Sequence, residues 1–69
     1  MTQANERFLR LEDVIAKTGL KRSTIYSKIK SGEFPKSIAI SANSVAWLES
    51  EINHWIQIKV KQREYKEQK

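Results

Sequence analysis

The sequence predicts a mainly α domain with a small β-hairpin, ordered helix, helix, hairpin, helix as a winged helix-turn-helix. Three observations carry this reading. Two short stretches with helical apolar spacing, Glu12–Thr18 and about 22–31, are separated by a break of a few residues that begins at Gly19. The apolar period then changes to two over 37–47, where Ile38 and Ile40 alternate with small residues and Val45 and Trp47 follow a turn of Ser, Ala and Asn. From Leu48 the spacing is helical again, with Ile52, Trp55 and Ile56 at i, i+3 and i+4.

Each element follows from local chemistry. Residues 1–6, MTQANE, are polar and aperiodic, and a flexible N-terminus is expected there. RFLRL, at 7–11, either adds a short strand or anchors the first helix. In that helix Glu12 and Asp13 complement the positive end of the dipole, Val14 and Ile15 join Leu11 on an apolar face, and Gly19 supplies positive φ at the end. In the second helix Ser23 is the natural N-cap with Thr24 at N1, while Lys21 marks an alternative start without a capping side chain. Ile25 and Ile29 share its inner face, and Gly32 followed by Pro35 stops it. SANS at 41–44 reads as a four-residue polar loop at the tip of the wing. The last helix carries Glu49 and Glu51 early and basic residues late, and is expected to fray beyond Arg63. The domain is therefore placed at 7–62, with 63–69 as a frayed tail.

At 69 residues the chain is one domain near the lower size limit for a single core. There is no cysteine, and the one histidine, His54, has no second histidine to share a metal with. No disulfide, metal or other cofactor is expected. The core must come from packing, and Trp47, Trp55, Phe8 and Phe34 are read as core residues and not as base-stacking platforms. Glu12 with Asp13 and Glu49 with Glu51 each mark a helix start, and nothing in the pattern builds a cleft around a carboxylate pair. The chain is read as non-enzymatic, with no small-molecule substrate. No signal-peptide pattern appears and no apolar run approaches the length of a membrane span, so a cytoplasmic location is expected.

The formal charge is +5 with an isoelectric point near 9.8, which favours anionic partners. Between Lys17 and Lys36 stand six basic residues and one acid, Glu33, so this window holds the whole excess. In helical projection with Ile25 and Ile29 inward, Ser23, Ser27 and Lys30 lie opposite, Thr24 and Tyr26 flank them, and Lys21 and Arg22 stand at the N-terminal entrance. Such a helix fits the major groove of double-stranded DNA, where its N-terminal residues meet base edges. Arg22 suits a bidentate contact to guanine, and Ser23, Thr24 and Tyr26 suit phosphates or bases. Lys28, Lys30 and Lys36 suit phosphates. Ser41, Asn43 and Ser44 offer hydrogen-bonding groups at the wing tip. Taken singly these are an ordinary solvated face and an ordinary turn; their joint placement beside a tight helix pair argues for a duplex. Neutralising about four to six phosphates predicts a log–log salt slope of about −4 to −5.

The stretch RFLRLEDVIAKTGLKRSTIYSKIKSGEFPKSIAISANSVAWLESEINHWI resembles the AlpA-type prophage transcriptional regulators, small winged-helix proteins related to the MerR-like and excisionase DNA-binding domains. Its marks are KTGL followed by RSTIY, then GEFPK, then VAWLESEI and WI, in that order. The resemblance implies DNA binding by the second helix and the wing, in regulating phage genes or promoting excision of an integrated element. By position, Arg22, Ser23, Thr24 and Tyr26 fall on the family's recognition segment. Two departures stand out: Lys21 replaces a common serine cap, and Ser27 replaces a basic residue that commonly follows the tyrosine.

These readings converge on a sequence-specific regulator of prophage or mobile-element genes that binds double-stranded DNA. One alternative is an excisionase-like recombination directionality factor, which would bend DNA for a recombinase partner through the same surface. Another is a protein–protein adaptor docking through the last helix, with Val60 and Tyr65 as anchors; the same segment would serve a homodimer. One domain of this size reads one half-site, so a second copy or an adjacent site is expected.

Overall fold

In the computed structural model, which describes residues 6–66 and their side chains through Arg63, six elements succeed one another. They are β1 (Phe8–Leu9), α1 (Leu11–Thr18), α2 (Arg22–Ser31), β2 (Ile38–Ser41), β3 (Ser44–Leu48) and α3 (Glu49–Lys66). The expected flexible terminus and frayed tail lie partly outside the described residues; α3 itself continues past Arg63 to Lys66. The three strands form an antiparallel sheet in the order β1-β3-β2, and the RFLRL segment does contribute a strand. Three helices and this small sheet make a winged helix-turn-helix.

One buried cluster joins every layer: Leu9, Val14, Ile25, Phe34, Trp47 and Ile52, with Leu20, Ile29, Val45, Trp55 and Ile56 among the partly buried residues packed on it. Leu9 faces Trp47 across the β1–β3 ladder, and Phe8 faces Leu48. Neighbouring strand residues point to opposite sides of a sheet, so only one of the pair can enter the core. Leu9 takes that place, and Phe8, expected in the core, is 51% exposed. Trp47 is fully buried as expected, whereas Trp55 is only half-buried.

The helix ends show local chemistry and packing in competition. α1 starts at Leu11, one residue earlier than expected, and the Asp13 carboxylate accepts the Arg10 N–H at 3.2 Å. Gly19 closes it at φ 75°, donating to the Ile15 carbonyl at 2.8 Å. Thr18 Oγ1 donates to the Val14 carbonyl at 2.8 Å and accepts the Leu20 N–H at 3.2 Å, which ties the turn to the helix. α2 is capped by Lys21, in extended conformation and without a side-chain cap bond, and not by Ser23. The Ile25 N–H reaches the Lys21 carbonyl at 3.0 Å, closing a first turn that already contains Ser23. A serine cap contributes about 1 kcal/mol, and the phase that buries Ile25 and packs Leu20 and Ile29 against the core outweighs it. At the other end Gly32, at φ 83°, donates to Ile29, and the Glu33 N–H reaches back to the Lys28 carbonyl at 2.7 Å.

The wing is tighter than its sequence suggested. Ser41 pairs with Ser44, so the hairpin closes on Ala42 and Asn43 alone and the four-residue loop is not formed. Among the described residues no non-glycine residue has positive φ, so the turn is not of the type whose twist matches its strands. A register shift between Ala39 and Ser41 absorbs the difference at Ile40.

Candidate nucleic-acid interface

α2 presents the surface on which a polyanion would lie. Ile25 is fully buried, and Ser23, Ser27 and Lys30 are exposed on the opposite side. Lys21 and Arg22 are exposed at the N-terminal end, where the first helical N–H groups also point outward. Thr24 is half-buried; Tyr26 is 40% exposed, with its ring tilted against Trp47 at a centroid distance of 6.5 Å. Tyr26 thereby lies between core and solvent. Ser23, Thr24, Ser27, Lys28, Ser31 and Glu33 line one shallow groove along the helix.

The segment after α2 is positioned by the tryptophans. Trp55 Nε1 donates to the Glu33 carbonyl at 2.9 Å, and Trp47 Nε1 donates to the Pro35 carbonyl at 3.0 Å. Phe34, between them in sequence, is buried edge-on to Trp55 at 4.9 Å. Each indole needs a partner for its N–H, and a loop without regular structure needs donors for its carbonyls. The two requirements meet here, and the loop that carries Lys36 is pinned to the core. Sequence reasoning placed both tryptophans by their apolar area and missed this use of their nitrogens, for which periodicity holds no signal.

The cations are not equivalent. Glu49 forms ion pairs with Lys17, whose Nζ lies 3.6 Å from Oε2, and with Arg7, whose Nε lies 3.6 Å from Oε1, and Glu33 Oε1 lies 3.8 Å from Lys28 Nζ. Lys21, Arg22, Lys30 and Lys36 are exposed and form no ion pair among the described residues. At the wing tip Ser41 and Asn43 are exposed and Ser44 is half-buried. On α3, Lys59 Nζ stands 5.5 Å from the Trp55 ring, and Lys17, Lys59 and Arg63 edge a groove floored by Trp55, Ile56 and Val60. Sequence reasoning counted Lys17 in the cationic window and read the late basic residues of the last helix as partners for its dipole. Among the described residues no group of His, Cys, Asp or Glu is placed to hold a metal ion, and no helix is long and apolar enough to cross a membrane.

The sequence as a whole resembles known proteins. The sequence profile of the family described as Prophage CP4-57 regulatory protein (AlpA) matches residues 7–60. A protein of Enterobacteria phage P4, named "Uncharacterized protein ORF88", is 49% identical over 51 residues, covering 74% of this chain and 58% of that one. The chain thus spans less than two thirds of that phage relative. The "DNA-binding transcriptional activator AlpA" of Escherichia coli (strain K12) is 41% identical over 56 residues, covering 72% of this chain and 80% of the other.

Proposed function

Because the chain belongs to the AlpA family of prophage regulatory proteins, we propose that it is a sequence-specific transcriptional regulator of prophage or mobile-element genes that acts by binding double-stranded DNA. The observation that carries this reading is the outward face of α2. It brings exposed hydroxyls together with exposed cations that form no ion pair among the described residues, opposite a fully buried isoleucine. The E. coli relative, named as a DNA-binding transcriptional activator, supports it.

In this reading α2 enters the major groove N-terminus first. Arg22 makes the bidentate contact to guanine, Ser23, Thr24, Tyr26 and Ser27 contact bases or phosphates beside it, and Lys21, Lys30 and Lys36 neutralise phosphates that fix the register. Ser41, Asn43 and Ser44 reach the backbone from the wing. The protein works by occupancy in the cytoplasm, without catalysis, and a single domain takes one half-site, so tight operators carry two.

Selection of bound duplexes from a random pool tests this. A motif should be enriched, with a guanine that loses its preference in the Arg22→Ala chain. Recovery of the pool without enrichment would refute the sequence specificity, and absence of any retained duplex at low salt would refute DNA binding itself.

A further inference from the structure

Glu33 is the one acid between Lys17 and Lys36, and the fold holds it with unusual care for an exposed residue. Its N–H donates to the Lys28 carbonyl at 2.7 Å, and its own carbonyl accepts Trp55 Nε1 at 2.9 Å. With both backbone groups engaged, the side chain is set at the C-terminal end of α2. There Oε1 lies 3.8 Å from Lys28 Nζ and the residue helps line the groove shared with Ser23, Thr24, Ser27 and Ser31. Lys28 is 31% exposed and Glu33 63% exposed. A pair this open to water adds little to folding stability, so stability is a poor account of its placement.

Its effect on a duplex is more direct. Lysines gain affinity by replacing the counterions condensed on phosphates, and a lysine already matched by a carboxylate replaces fewer of them. The same carboxylate meets any approaching phosphate as a like charge. We propose, building on the duplex-binding reading above, that Glu33 is a brake on sequence-independent DNA affinity, and that it acts through Lys28. Phosphate contacts supply essentially all non-specific binding, and a genome presents a vast excess of competing sites. Holding one lysine back on the recognition helix therefore limits retention on bulk DNA and leaves the protein free for its operator.

The test is fluorescence anisotropy of the 69-residue chain with a short random-sequence duplex, titrated between about 50 and 200 mM salt. Glu33→Gln keeps the size of the side chain and both backbone anchors while removing the charge. Its log–log salt slope should steepen by about 0.9, one further phosphate, and its affinity at the lower salt should rise by roughly three- to tenfold. In a Lys28→Met chain the same Glu33→Gln change should give a clearly smaller rise. An unchanged slope and affinity, or an equal rise in the Lys28→Met background, overturns the brake. Failure of the unaltered chain to bind the duplex at low salt overturns the duplex-binding reading instead, so the two failures are told apart by the unaltered protein.

Discussion

Raising salt from about 50 to 200 mM should weaken the binding of this chain to a random-sequence duplex by roughly 150-fold. The figure comes from the ion pairs. Of the six cations between Lys17 and Lys36, Lys17 is held by Glu49 and Lys28 by Glu33. Lys21, Arg22, Lys30 and Lys36 remain exposed and unpaired among the described residues. Four phosphates, each releasing about 0.9 of a counterion, give a log–log slope of about −3.6. All six cations engaged would give about −5.4 and a loss of roughly 1,800-fold over the same interval, an order of magnitude more. The sequence-based range of about −4 to −5 falls between these limits, because charge counting cannot see which lysines are occupied. Anisotropy titrations at several salt concentrations separate the cases. A slope as steep as about −5 would mean that Lys17 and Lys28 leave their carboxylates freely, and one shallower than about −2 would mean that α2 is not the surface the duplex meets.

Other substitutions test the remaining parts of the account. Arg22→Ala should cost about 1–3 kcal/mol on the best site and relax the preference at one base position, whereas Lys30→Ala should weaken all duplexes alike and reduce the salt slope by about 1; unchanged binding of the Arg22→Ala chain to the selected site would remove Arg22 from the reading. Gly32→Ala forces a side chain into φ 83°, yet the added Cβ meets nothing within 4 Å, so the cost is backbone strain alone. That is about 1–2 kcal/mol. For a domain of this size each kcal/mol lowers the melting temperature by about 4–8 °C, and an unshifted melt by circular dichroism would show that the left-handed C-cap is dispensable. Trp47→Ala removes a fully buried indole and its bond to Pro35. A loss of about 3–5 kcal/mol is expected, comparable with the whole stability of so small a domain, and a persisting cooperative melt at the original temperature would contradict the central place of Trp47.

Features governed by neighbours in the chain were legible in advance. Gly19 and Gly32 end their helices because the left-handed backbone they adopt, φ 75° and 83°, is closed to most other residues. Ile25, Ile52 and Trp47 are buried because the spacing of apolar residues dictates one inward face for each element. The concentration of charge between Lys17 and Lys36, and with it the pull toward a polyanion, is a matter of composition. What the linear order did not contain are choices between alternatives of nearly equal local merit. Ser23 is the better cap, yet Lys21 holds the position. Phe8 is larger than Leu9, yet Leu9 meets Trp47. The availability of each lysine likewise rests on carboxylates that folding delivers, Glu49 to Lys17 and Glu33 to Lys28. Backbone sterics and periodicity act within a turn or two of chain, so they can be read in order along it. Occupied lysines, engaged indole nitrogens and the winning side of a two-residue strand depend on groups that meet only when the core closes.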